Sequence, residues 1–226
     1  MNKYKNFIFE VYESILDDSQ AFEDRKRYLV DNIHTILEKS SFSFKHSVVA
    51  KAFDSLYNEI KRRRECQEVF TVFQQVDFIV STLKLNDFVI FKKIYDSYVE
   101  SSLQISPSFF EWDERLFDLL KENGCRIFLV CNILQTPANI IRLLLKEKNF
   151  LNFFDDIVFS EEIGLGFFNS VSLDFLFKKN EILPQETVFV TNFTNSFYHP
   201  DLKINIEFFD RERKKLYNIV LDLIES

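Results

Sequence analysis

The segment from Asn6 to Ser19 reads NFIFEVYESILDDS, and it contains the change of pattern on which the fold depends. Its first seven residues, 6–12, form a short apolar run rich in aromatic and β-branched side chains, which predicts a buried β-strand. From Ser19 to about Gln104, apolar residues recur at helical spacing without an intervening glycine or proline. The pattern therefore predicts a block of about four helices directly after the first strand.

After Pro107 the pattern alternates between short apolar strands and helices. The predicted strands are 126–131, 156–160, 187–191 and 204–209, and the predicted helices are 112–123, 137–148, 170–180 and 216–224. Alternation of this kind indicates a parallel sheet covered by helices on both faces. We therefore predict an α/β core made of residues 1–18 and 105–226, with residues 19–104 as a helical insertion.

The charge and cysteine content argue against several classes of protein. The 226 residues carry a formal net charge of −7, whereas general nucleic-acid binding requires clustered cations. One dense basic run, Lys61–Arg64, falls at the end of a predicted helix, where cations complement the helix dipole. The cysteines Cys66, Cys125 and Cys131 are odd in number and lack metal-ligand spacing, so we expect neither a disulfide framework nor a zinc site.

Two further features concern phosphate loops and membranes. With only 3 glycines, the chain has little material for a glycine-rich phosphate-binding loop. No apolar run approaches the ~20 residues that a membrane-spanning helix needs. Because Glu10 and Glu13 interrupt the first apolar segment, we expect no signal peptide and a cytoplasmic protein.

The residues that follow the predicted strands bear most directly on function, because open parallel sheets bind ligands beyond the carboxyl ends of their strands. The first strand leads to Glu10 and Tyr12, and the strand RIFLVC ends at Cys131. Phe167 comes after the predicted strand 156–160, and Asn192 comes directly after the predicted strand 187–191. In order and spacing, over essentially the whole chain, these segments resemble the motifs of the haloacid dehalogenase-like (HAD) hydrolase superfamily.

The resemblance implies a Rossmann-like parallel sheet with a helical cap, and it gives each position a role. In that family the first motif supplies an aspartate nucleophile and an aspartate acid/base; Glu10 and Tyr12 occupy those positions here. The second motif ends in serine or threonine and the third contains a lysine, where this chain has Cys131 and Phe167. The fourth motif supplies an aspartate that helps to bind magnesium, and its counterpart here is Asn192.

The substitutions remove the chemistry that the family mechanism requires. The carboxylate of Glu10 lies one methylene further from the backbone, and a misplacement on the order of 1 Å costs about a hundredfold in rate. Tyr12 has a reference pKa of about 10, which is poorly matched to acid/base work at neutral pH. Phe167 cannot neutralise an oxyanion. We therefore expect no cofactor; if residual family activity exists, Mg²⁺ is implied, with Glu10 and Asn192 as its candidate ligands.

Two functions remain open. The first is a pseudoenzyme retained as a binding, regulatory or assembly protein, with an unknown protein or small molecule bound at the cleft between cap and core. The second is a divergent phosphatase-like hydrolase of a small organic substrate, with Glu10 as nucleophile or base. Tyr12, Cys131 or His199, which follows the fourth strand, would then assist. In both cases we expect a monomer or homodimer and no nucleic-acid or membrane partner.

Overall fold

The computed structural model describes residues 3–12, 14–66, 68–110, 115–133, 135–166, 170–191, 204–208 and 216–225. The chain divides into two compact units. The core unit consists of Met1–Asp17, Phe109–Asn132 and Leu144–Ser226, and the helical unit consists of Asp18–Ser108 and Ile133–Leu143. The helical unit thus contains the predicted insertion together with a short segment that follows a strand of the core.

Within the described residues, the core unit contains a five-stranded parallel sheet. The strands of the chain are β1 (Asn6–Glu10), β2 (Leu16–Asp17), β3 (Ser108–Phe109), β4 (Arg126–Cys131), β5 (Asp156–Phe159), β6 (Thr187–Thr191) and β7 (Asn205–Phe208). The order in the sheet is β5-β4-β1-β6-β7, and every neighbouring pair is parallel. The short strands β2 and β3 pair separately. The parallel α/β architecture predicted from the sequence is confirmed.

The strands are apolar on both sides because both faces of the sheet are covered. On one face, Ile8, Phe128 and Phe189 form a cluster with Leu173 and Leu176. On the other face, the ring of Phe9 meets that of Phe117 edge to face, with centroids 5.8 Å apart. Each such fully buried side chain contributes roughly 1.5–3 kcal/mol through its removal from water.

Four described helices after residue 110 agree closely with the predicted ones: α5 (Arg115–Glu122), α6 (Ala138–Glu147), α8 (Ser170–Asn180) and α9 (Leu216–Glu225). The short helix α7 (Ser160–Ile163) was not predicted. Gly124 follows α5 with a φ of +69°, which glycine adopts without the steric cost of a Cβ atom. This residue ends the helix and lets the chain enter β4, as the sequence predicts.

The first strand is shorter than predicted, since β1 ends at Glu10 and not at residue 12. Its pairing stops because the chain turns: the amides of Ile15 and Leu16 both donate to the carbonyl of Val11, at 2.9 Å each. The third predicted strand also ends one residue early, because Ser160 begins α7. Both differences lie at the carboxyl edge of the sheet.

The helical unit contains α1 (Ser19–Lys39), α2 (His46–Glu65), α3 (Val72–Thr82) and α4 (Phe88–Gln104). α1 packs against α2 and α4, and α3 packs against both α2 and α4. Their buried side chains follow helical spacing, as in Leu29, Ile33 and Leu37 of α1. The predicted basic run lies in the last turns of α2, where Arg62 and Arg63 are hydrogen-bonded to Glu59. None of the described helices is long and apolar enough to cross a bilayer.

Candidate functional site

The carboxyl ends of β1, β4 and β6 bring two of the substituted positions, Glu10 and Cys131, together with Thr191. Parallel pairing places Glu10 opposite Val130 of β4 and Phe9 opposite Val190 of β6. Cys131 and Thr191 are the residues that follow these partners, so they lie beside Glu10 at the edge of the sheet. Adjacency of this kind follows from parallel pairing, because equivalent strand ends meet on one side.

The carboxylate of Glu10 is buried, with only 2% of the residue exposed. One of its oxygens, Oε2, accepts a hydrogen bond from Oγ1 of Thr191 at 3.3 Å. Thr191 is itself fully buried and directly precedes Asn192, the counterpart of the fourth-motif aspartate that the resemblance implies. The threonine therefore supplies a hydroxyl donor to a carboxylate that water does not reach freely.

The two other described motif residues are buried as well. Tyr12 is 3% exposed and lies two residues after the end of β1, within the turn, where it forms a parallel bridge with Leu16. Cys131 is a free thiol with no exposed surface. A buried thiol in apolar surroundings behaves as a small hydrophobic side chain with a weak donor.

Three of the predicted site residues, Phe167, Asn192 and His199, lie outside the described residues. Among the motif positions that the structure describes, Glu10 supplies the one carboxylate; Glu161 and Glu162 follow β5 in the short helix α7. Nowhere in the described ranges do three His, Cys, Asp or Glu side chains lie close enough to hold a metal ion. Magnesium usually binds through one or two carboxylates and keeps several waters, and Asn192, the second candidate ligand, lies outside the described residues, so magnesium binding at this edge stays a prediction.

Neither a family model nor a curated protein sequence matches the chain. Solved structures do match. A HAD family enzyme from Bacteroides thetaiotaomicron is 14% identical with a TM-score of 0.60, covering 96% of this chain and 98% of the other. A putative HAD-hydrolase from Bacillus subtilis, bound to magnesium, is 15% identical with a TM-score of 0.57, covering 94% and 90%. The L-2-haloacid dehalogenase of Xanthobacter autotrophicus is 10% identical with a TM-score of 0.55, covering 99% and 83%.

This chain has the haloacid dehalogenase-like fold. The structural similarity extends over nearly the whole chain, which agrees with the resemblance drawn from the motif order. At such low identity the comparison establishes the fold alone. Glu10 lies at the end of the central strand of this fold, at the position where the resemblance implies a nucleophile.

Sequence reasoning missed a buried ion pair in the helical unit. Nη2 of Arg25 donates to both carboxylate oxygens of Asp18 at 2.6 Å, and Nη1 donates to the carbonyl of Ile105 at 2.8 Å. Arg25 has no exposed surface. The available signal was the spacing of seven residues, two helical turns, which places Asp18 and Arg25 on one side of α1.

Two tyrosines of the same unit have restricted access to water: Tyr98 is fully buried and Tyr57 is partly buried. The hydroxyl of Tyr57 accepts a hydrogen bond from Nε2 of Gln135. Burial raises the pKa of Tyr57 and of Tyr98 well above the ordinary value, because it disfavours the phenolate. Both phenols therefore remain neutral at physiological pH.

Replacing Thr191 by valine tests whether the hydroxyl satisfies the buried carboxylate. We expect the free energy of unfolding to fall by about 1–3 kcal/mol, since an oxygen of Glu10 loses its donor while the volume is conserved. Urea unfolding followed by circular dichroism measures this change. Thr187→Val on the same strand is the matched control, because Thr187 donates only to the neutral carbonyl of Leu183. A Thr191→Val protein as stable as the wild type would contradict this role.

Proposed function

We propose that this HAD-like protein has lost the aspartyl-nucleophile hydrolase activity of the family and is retained as a binding, regulatory or assembly protein. The observation that carries the proposal is the burial and hydrogen bonding of the Glu10 side chain. Its carboxylate is buried and accepts a hydrogen bond from Thr191, which supports a structural role at the sheet edge. A nucleophile must instead meet its substrate at about 3–3.5 Å in an attack geometry.

The neighbouring residues support the same proposal. Tyr12 and Cys131 are buried beside the strand ends, and neither is a strong acid/base group at neutral pH. Preorganised charges usually provide the largest share of enzymatic rate acceleration. Among the motif positions that the structure describes, Glu10 is the one carboxylate, and no group of three His, Cys, Asp or Glu side chains in the described residues is placed to hold a metal ion.

A divergent HAD-like hydrolase is the second candidate. One observation favours it: a carboxylate stands at the end of the central strand, between the strands that carry Cys131 and Thr191. In that case Glu10 would act as nucleophile or base on a small organic substrate. His199, whose placement lies outside the described residues, would be an assisting group.

An activity screen separates the two candidates. The wild type and Glu10→Gln would be assayed against phosphate monoesters and 2-haloacids with magnesium, manganese or no added metal. Glutamine keeps the size of the side chain and an acceptor for Thr191, so we expect both proteins to fold. We expect equal background rates from the two proteins. Turnover by the wild type that Glu10→Gln abolishes, with the fold retained by circular dichroism, would replace the binding role with the hydrolase.

A further inference from the structure

The helical unit has a groove, lined by aromatic, aliphatic and acidic side chains, where α3 and α4 meet. Phe73 is 59% exposed and Phe88 is 79% exposed, and both line one cavity of about 370 Å³. Val89 beside them is also exposed. Isolated apolar side chains on a surface are ordinary, but a contiguous patch around a groove usually marks a binding surface.

The groove has a continuous aromatic wall. The ring centroids of Phe73 and Phe91 lie 4.8 Å apart, and Phe91 and Phe88 stack with centroids 6.3 Å apart and planes 4° from parallel. The beginning of α4 is held by Asp87, whose carboxylate accepts from the amides of Val89 and Ile90. Because this end of the helix is capped, the exposed rings are presented on an ordered backbone.

The charged residues that line the groove are all acidic. Its lining includes the carboxylates of Asp77 and Asp87 and contains no basic residue. Asp77 is exposed, and its carboxylate makes no hydrogen bond or ion pair with any described residue. A cation placed over these rings would gain both the attraction of the ring faces and that of a nearby carboxylate.

We propose that this groove binds a segment of a partner protein that presents an arginine or lysine next to a large aliphatic or aromatic side chain. The apolar side chain would fill the space between Phe73, Phe88 and Phe91, and the cation would pair with Asp77. Arginine suits the site better than lysine, because its planar group stacks on aromatic rings and is more weakly hydrated. The inference rests on the proposed binding role and gives the partner a chemical class.

The test uses the 226-residue chain and random peptides displayed on phage. Peptides are selected on immobilised wild-type protein with Phe88→Ser protein in excess as soluble competitor, which removes those that bind elsewhere. The strongest peptide is then synthesised, and its affinity is measured by fluorescence anisotropy at low and high salt. Phe88→Ser and Phe73→Ser change exposed side chains, so both variants retain the fold.

We expect selected peptides to combine a basic and a large apolar residue. Phe88→Ser and Phe73→Ser should each weaken binding by about tenfold or more, as for a buried aromatic anchor. Asp77→Asn should weaken it by about threefold and reduce its salt dependence. Phe175→Ser, an exposed phenylalanine on α8, is the matched control and should leave binding unchanged.

Three results would overturn the proposal: no peptide that distinguishes wild type from Phe88→Ser, peptides without basic residues, or affinity unaffected by Asp77→Asn. A fourth is a dimer in sedimentation that Phe88→Ser dissociates, since a second copy would then cover the groove. The proposed function fails separately. Turnover that depends on Glu10 would contradict the proposed function. The peptide measurements would still show whether the groove binds a basic and apolar segment.

Discussion

Replacing Arg25 by alanine is expected to lower the free energy of unfolding of this protein by about 3–5 kcal/mol. Arg25 is fully buried, and its guanidinium bonds both oxygens of Asp18 and the carbonyl of Ile105. Its removal leaves the buried Asp18 carboxylate without its cation and the carbonyl of Ile105 without this donor. Urea or thermal unfolding monitored by circular dichroism measures the loss.

A double variant and a surface variant sharpen that prediction. Asp18→Leu combined with Arg25→Met removes both charges and keeps much of the volume, so we expect it to be more stable than Arg25→Ala. Arg27→Ala removes an exposed arginine whose nearest ion pair, with Asp24, spans 3.7 Å, and it should change stability by less than about 1 kcal/mol. Equal losses in Arg25→Ala and Arg27→Ala would contradict the assignment.

Phe117→Ala is the second change with a large expected effect, a loss of about 3–5 kcal/mol in unfolding free energy. Phe117 has no exposed surface, and its ring centroid lies within 6 Å of those of Phe9, Phe150, Phe153 and Phe154. Truncation removes these contacts and leaves a cavity between α5 and the sheet. Urea unfolding with the linear extrapolation method measures the effect.

Phe175→Ala is the control for Phe117→Ala. Phe175 is 41% exposed on α8, so its truncation loses less apolar contact and should cost about 1 kcal/mol or less. If the two variants unfold at the same urea concentration, the aromatic cluster around Phe117 does not stabilise the core unit as inferred.

The local pattern of the sequence was sufficient to predict the regular elements of the core unit. β4, β6 and α8 have the predicted bounds, Arg126–Cys131, Thr187–Thr191 and Ser170–Asn180. Each is a strongly patterned segment, and breakers such as Gly124 limit the alternatives. The end of β1 was not predicted, because it depends on a turn in which two later amides bond the carbonyl of Val11.

Burial of individual polar residues was beyond what the sequence predicts. Arg25 reads as an ordinary polar residue of an amphipathic helix, yet it is fully buried through its pairing with Asp18. Phe73 and Phe88 show the converse, since phenylalanine normally indicates core and both are exposed. These outcomes depend on which residues of other helices lie nearby, which helical periodicity does not specify.

The sequence indicated which strand ends carry candidate residues, but it did not predict how these residues are hydrogen-bonded. Motif order placed Glu10 and Cys131 at strand ends, where the structure has them. The hydrogen bond between Thr191 and Glu10 was not predicted, because Thr191 is not one of the positions to which the resemblance assigns a role. The roles inferred for Phe167, Asn192 and His199 stay predictions.

The most direct test of the loss of family activity is a single-turnover experiment with protein in excess over a phosphate monoester and magnesium present. Wild type, Glu10→Gln and Glu10→Asp are compared, the last because it restores the residue type of the family nucleophile. We predict that phosphate release by the wild type equals that by Glu10→Gln at all times. A wild-type burst of phosphate release that is absent from Glu10→Gln would contradict the account.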